Sequence, residues 1–365
     1  MKKKKVAKKR STAAKIFRVL GVIILVIVIL AGGLLAFLSI TEYKPEGVES
    51  VQVEGEKSKV LTAADHLTVM TWNLGYGALG DNADFFMDGG KSVQTVDMER
   101  LEQNLDGIQL EIWDASPDIL LLQEVDRDST RSLGVNEFEW LQQGMTGYTS
   151  AFANNFKVAF LPYPIPPIGT VDSGIATFSA YQIREASRVQ LPIPFSWPMR
   201  MANLKRCLLV SRIPVAESEH ELVVVNLHLE AFDDGEGKEA QTQALAQFLA
   251  QEAAKGNYVI AGGDFNQIFS SEDANAYPLR EGVWHPGRID VEQIGGSWQF
   301  LMDADVPTCR SLDQPLEGAE RENFQYYLID GFIISDNFNV EYMETLDLGF
   351  KCSDHNPVVL RLSLR

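Results

Sequence analysis

The 365-residue chain has only three cysteines, Cys207, Cys309 and Cys352, and no CxxC pair. That excludes a disulfide-dense scaffold and a thiolate zinc site. Residues 1–18 contain no acid, and Val19–Ile40 contains no charge at all. The remainder is poor in bases: residues 19–365 hold 23 Lys or Arg against all 50 acids, a net charge of −27. Phosphate polymers are gripped through basic patches and counterion release, so a dedicated tight nucleic-acid binder is disfavoured. A nuclease with a locally basic or metal-filled cleft stays open. No internal repeat or low-complexity tract follows residue 18. Hydrophobic residues make up 45% of the chain and charged residues 22%, which excludes wholesale disorder and supplies a sizeable core.

Nine Lys or Arg stand in residues 1–18, directly before the uncharged run. At about 1.5 Å per residue, those 22 apolar positions reach across a bilayer's hydrocarbon core. A cleaved signal peptide has a shorter apolar region, about 7–15 residues. A transmembrane anchor over 19–40 is therefore expected. Cleavage remains the alternative, because Ala31, Gly32, Gly33 and Ala36 are small. The basic cluster argues against a buried core helix, and the positive-inside rule keeps it cytoplasmic. Residues 41–365 then face outward. No cysteine ends the apolar run, which argues against a lipoprotein anchor. Residues 41–65 read as a stalk or, at Val48–Val53, as an edge strand. Residues 66–365 read as one α/β domain, since strands recur to the C-terminus without a break in composition.

Period-two or continuous apolar runs predict strands at His66–Trp72, Asp118–Gln123, Ser173–Ser179, Leu208–Ser211, Leu222–Leu229, Tyr258–Ala261, Leu328–Ile334 and Pro357–Leu362. Helical spacing predicts helices over Asp97–Ala115 and Glu236–Ala254. Two proline- and aromatic-rich segments, Leu161–Gly169 and Leu191–Met201, cannot be central strands, because each proline lacks a donor. Their aromatics, Phe195 and Trp197 with Met199, either cap the core or meet a membrane or a substrate tail.

Polar groups interrupt the apolar strands at six places. Asn73, Glu124, His228, Asp264 with Asn266, Asp330, and Asp354 with His355 all stand at or beside strand ends. Burying such groups without partners costs several kcal/mol, so they are expected to converge. Asn, Asp and Glu are hard oxygen ligands suited to magnesium. Two histidines beside carboxylates supply proton transfer near neutral pH. His66, His220 and His285 join no such pattern.

The segments TWN (Thr71–Asn73), LQE (Leu122–Glu124), NLHL (Asn226–Leu229), GGDFN (Gly262–Asn266), ID (Ile329–Asp330) and SDHNPV (Ser353–Val358) resemble, in this order, the motif series of the endonuclease/exonuclease/phosphatase superfamily. The chain looks like a membrane-anchored, bacterial-type member, with the likeness covering about residues 67–362. The resemblance implies a DNase I-like four-layer sandwich of two mixed β-sheets flanked by helices. It implies phosphoester hydrolysis with Mg²⁺, sometimes replaced by Mn²⁺. By the same resemblance, Asn73, Glu124 and Asp354 lie at the metal, and Asp264 and Asn266 position the metal, water and phosphate. His228 contacts the scissile phosphate, and His355, oriented by Asp330, acts there too. Either His355 or Asp264 takes the water's proton. Asn155, Lys157, Arg131 and Arg206 are further candidates for reaching a phosphate, and Ser173 and Gly174 resemble a Ser-Gly segment found in some branches of the superfamily.

The expected partners are a phosphoester substrate and, through the N-terminal helix, a membrane, with nucleic acid only as substrate. A monomer is expected. A phospholipid-like phosphodiester suits the anchor and the aromatic loops. An extracellular nuclease is the alternative within the enzymes, and a catalytically silent membrane-anchored binding module is the alternative outside them.

Overall fold

A computed structural model describes residues 12–55, 59–233, 235–273 and 275–365. Most of the basic segment expected at 1–18 thus lies outside the described residues. One sheet contains β1 (Val48–Val51), β7 (Glu185–Gln190), β8 (Cys207–Pro214), β9 (Glu221–His228) and β10 (Tyr258–Asp264), followed by strands Asp330–Ser335 and Trp298–Leu301. The other runs from strand Phe338–Thr345 through Val358–Leu364 to β3 (His66–Asn73), β4 (Ile119–Asp126), β6 (Gly169–Ser179), β5 (Thr149–Leu161) and β2 (Val53–Glu54). Both are mixed: β3–β4 and β9–β10 are parallel pairs in otherwise antiparallel ladders.

The sheets pack face to face. Leu67, Val69, Ile119, Leu121 and Ile175 of one meet Leu209, Leu222, Val224, Ile260 and Phe332 of the other. Helices cover the outer faces. α2 (Met98–Ala115) and α3 (Glu137–Gly144) pack on the second sheet through Leu101, Leu105, Ile108, Ile112, Phe138 and Leu141. α4 (Glu236–Ala253) packs on the first through Leu245 and Leu249. Strands covered on both sides read as unbroken apolar runs, as Ile119–Leu122 of β4 and Leu222–Val225 of β9 do. The result is the four-layer sandwich expected from the motifs.

Residues 48–54, open between stalk and edge strand, are strands. β1 adds to β7 of one sheet and β2 to β5 of the other. Val51 and Val53 pack at the edge of the inter-sheet core, which a solvated stalk would leave uncovered. Ahead of them, α1 (Thr12–Thr41) is one continuous helix whose apolar side chains are exposed over most of its length. It is long and apolar enough to cross a membrane. Only its last turns touch the domain. Leu38 is buried against Val158 and Met201, with Leu34, Phe156 and Leu161 alongside.

Candidate active site

The strand ends explain how distant residues converge. Parallel β3 and β4 place Asn73 beside Gln123, next to Glu124, and parallel β9 and β10 place His228 beside Asp264. Antiparallel pairing sets Asp330 opposite Asp264. These ends emerge at one edge of the sandwich, and Asn73 spans the two sheets. Its amide nitrogen lies 3.3 Å from Glu124 Oε1 and 3.1 Å from Asp264 Oδ2, while its oxygen accepts from the Gly75 amide at 3.0 Å. The SDHNPV segment closes the edge. Ser353 Oγ donates to the Asn73 carbonyl at 2.7 Å and accepts from the His355 amide.

Two candidate site residues sit in left-handed backbone. Glu124 has φ 52° at the irregularity between Leu122 and Val125, which swings its carboxylate out of the ladder. Asn266, also at φ 52°, turns the chain after Asp264. Gly263 has φ 149°, and a Cβ there would lie 1.9 Å from the Leu227 carbonyl oxygen. The GGD sequence thus lets β10 approach β9 closely enough to seat Asp264 beside His228.

The charges are crowded. Asp264 Oδ2 lies 3.3 Å from His228 Nε2 and 3.9 Å from His355 Nε2. Burial, then the Asp330 carboxylate, pushes Asp264 up to about 7. Burial, reinforced by Glu124, raises Asp354 to about 6. His355 Nδ1 is 2.9 Å from Asp330 Oδ2. Burial works against its charge, yet Asp330 more than offsets this and holds the imidazole well above its ordinary value. His228 behaves in the opposite way. Burial, Arg206 and His355 drive it well below, so it is neutral at pH 7. Among the described residues, Asp330 Oδ1 and His228 Nδ1 are buried without a hydrogen-bond partner.

Four carboxylates at one edge, two of them raised by burial and then by their neighbours, fit a divalent cation. Ligand atoms of Asp264, Asp330 and His355 lie within 4.8 Å of one another, as do those of Cys309, Asp354 and His355.

Every residue singled out for catalysis or metal binding is placed at this edge. The basic candidates differ. Arg131 binds both oxygens of Asp126, at 3.0 and 2.9 Å, donates to Ser173 and lies over the Tyr76 ring, so it buttresses the wall. Lys157 pairs with Asp172 at 2.6 Å, and Arg206 with Glu230 and the His228 carbonyl. Asn155 is buried, and Gly174 pairs with Val125 and Asn154 within the ladder. Sequence reasoning missed Thr308, whose hydroxyl accepts from the amides of Ile329 and Asp330, and Cys309, bridged to His355. Neither residue carries a signal of its own in sequence.

The Endonuclease/Exonuclease/phosphatase family matches residues 70–332. An endonuclease/exonuclease/phosphatase from Beutenbergia cavernae is similar in structure, with TM-score 0.55 and 18% identity over 82% of this chain and 72% of that one. TDP2 of D. rerio, solved with a single-strand DNA product, superposes with TM-score 0.50 and 15% identity over 82% of this chain and 99% of its own. At such identities these likenesses show the fold. None of the curated proteins matches this chain. The family match covers well over half of the chain, and the chain therefore belongs to the endonuclease/exonuclease/phosphatase family.

Proposed function

We propose that this chain is a divalent-metal-dependent phosphodiester hydrolase working at the outer face of a membrane. Members of its family are typically phosphoester hydrolases. The observation that carries the reading is the seating of one carboxylate between two histidines. Asp264 Oδ2 lies 3.3 Å from His228 Nε2 and 3.9 Å from His355 Nε2, with Asp330 Oδ2 2.9 Å from His355 Nδ1. Asp330 favours the charged form of His355, while burial disfavours that of His228 and raises Asp264.

Glu124 and Asp354 would hold the cation, with Asp264 and Asn266 alongside; Asn73, expected at the metal, turns its amide nitrogen to Glu124 and Asp264 and so orients those carboxylates. When bound, the cation draws negative charge from the phosphate oxygens. The chain's own groups do the rest. Asp264 is basic enough to take a proton from water, and the amides of Asn73 and Asn266 fix its orientation. His355 presents Nε2–H to the phosphate and meets the charge that builds there. His228, neutral, shares the carboxylate of Asp264 without adding a competing charge. In the balanced reaction the water oxygen bonds to phosphorus, one P–O ester bond breaks, and the water's proton passes to the leaving alkoxide.

The test is hydrolysis of bis-p-nitrophenyl phosphate by the full chain, with Mg²⁺ or Mn²⁺ and with chelator, beside an Asp264→Asn variant. Metal-dependent turnover that Asp264→Asn abolishes supports the reading. Absence of turnover with either metal would leave the silent binding module. DNA and RNA in the same panel separate the nuclease alternative.

A further inference from the structure

The anchor helix and the active-site edge are connected through one patch of the surface. Leu38 of α1 is buried against Val158 and Met201, and Phe156 packs on the same cluster. Arg131 lies 5.9 Å from the Phe156 ring on one side and 3.7 Å from the Tyr76 ring on the other. Trp197 Nε1 reaches Ser39 Oγ at 3.4 Å, and Arg200 pairs with Glu42 at 2.9 Å, just past the helix end.

Beside this junction the two proline-rich loops leave their largest apolar groups uncovered. Ile165 is 94% exposed, Tyr163 69%, Met199 63% and Trp197 57%. Buried Met201 caps the core, while these four do not. The Tyr163 ring packs against Phe86 with centroids 5.9 Å apart. The amide of Phe85, next to Phe86, donates to the Leu312 carbonyl at 2.7 Å, two residues past Arg310, whose amide meets the Asp354 carbonyl at 3.0 Å, so this segment borders the site.

Residues 151–171 and 186–211 hold five Lys or Arg and no acid. Arg188, Lys205 and Arg206 are buried, while Lys157 and Arg200 reach the surface beside the loops, paired with Asp172 and Glu42. Trp and Tyr beside basic residues, next to the point where an apolar helix leaves the domain, are the composition of a bilayer interface.

We infer that the loops 161–169 and 191–201 rest on the headgroup layer of the bilayer that holds α1, and that the active site accepts a phosphodiester carried by a membrane lipid. The second half of this inference rests on the hydrolase reading, while the first half is independent of it.

The full chain is reconstituted into vesicles of equimolar phosphatidylcholine and phosphatidylglycerol, with and without bromine on the acyl chains. Bromine should quench emission that wild type has and Trp197→Phe lacks. Equal quenching of the two would overturn the bilayer contact. In parallel, a triple variant, Ile165→Ser with Trp197→Ser and Met199→Ser, is assayed on vesicle phospholipid and on soluble bis-p-nitrophenyl phosphate with Mg²⁺. At least about a tenfold loss on the lipid alone is expected, since interfacial binding scales with buried apolar area. Equal rates of variant and wild type on the lipid would overturn the inference, as would wild-type turnover of the soluble ester alone. Quenching without turnover of either substrate would refute the hydrolase reading and uphold the bilayer contact.

Discussion

Asp330 Oδ2 lies 2.9 Å from His355 Nδ1, and the other oxygen of the same carboxylate is buried without a partner. A buried acid held by a single imidazole makes the two groups one electrostatic unit. His355→Ala should lower kcat on bis-p-nitrophenyl phosphate by at least about 10²-fold. Asp330→Asn should cost less, because the ring remains but loses its orientation and charge. The double variant should resemble His355→Ala, since residues acting as a unit are non-additive. A double loss equal to the product of the single losses would refute the coupling.

That pair also shows how much of the site was legible. Asp330 stood out because a charge inside YLIDGFII has no apolar justification. His355 stood out through SDHNPV. The positions broke a pattern, and the pattern break was readable. Thr308 was not readable, because a threonine after proline breaks nothing; its role comes from the fold that brings it under the Ile329 and Asp330 amides. The same holds for strands. β3, β9 and β10 are covered on both faces and announce themselves, whereas β5 was missed because its polar NNFK stretch, Asn154–Lys157, interrupts any period. β1 and β2 were ambiguous because short edge strands carry little apolar signal. Arg131 and Lys157 looked like phosphate ligands until their partners, Asp126 and Asp172, appeared.

The crowding of carboxylates predicts a stability effect that needs no assay of turnover. In chelator at neutral pH, Asp354 must ionise against burial and Glu124, with its pKa raised to about 6. A raised carboxylate contributes stability that is complete below its ordinary 3.8 and is lost as pH rises through about 6. Asp354→Asn should therefore raise Tm in chelator at pH 7.5, with the gain shrinking as pH falls through that window and gone below about 3.8. Mg²⁺ should stabilise wild type more than the variant, because binding to the folded state alone adds stability. Equal Tm responses to Mg²⁺ in both proteins would count against Asp354 as a ligand.

A second buried link fixes the two sheets to each other. Gln123 Nε2 donates to Asn226 Oδ1 at 2.8 Å, and Asn226 Nδ2 donates to the Leu122 and Ala176 carbonyls at 3.0 and 2.8 Å. Both side chains are fully buried just beneath the site. Asn226→Leu would leave those groups unpaired at roughly 1–3 kcal/mol each. Urea unfolding should show a loss of that order, with kcat falling as well, because Glu124 follows Gln123 and His228 lies two residues past Asn226. Unchanged stability would mean that water replaces the bridge.

Glu252, near the end of α4, receives Arg212 Nη2 at 2.7 Å, Lys255 at 2.8 Å and Asn257 at 2.8 Å. Burial alone would raise its pKa, but these donors outweigh burial and hold it at about 2, against an ordinary 4.5. The sign follows from linkage. A depressed carboxylate pKa means the unfolded chain binds the proton first, so the contribution is complete above about 4.5 and disappears as pH falls toward 2. Glu252→Gln keeps the volume and part of the hydrogen bonding, yet removes the charge that Arg212 and Lys255 meet. At pH 7 its urea midpoint should lie below that of wild type. The gap should narrow steadily through that acid window, while other acids titrate equally in both proteins. A gap independent of pH would show that Glu252 stabilises the α4 junction through packing, with its charge contributing nothing.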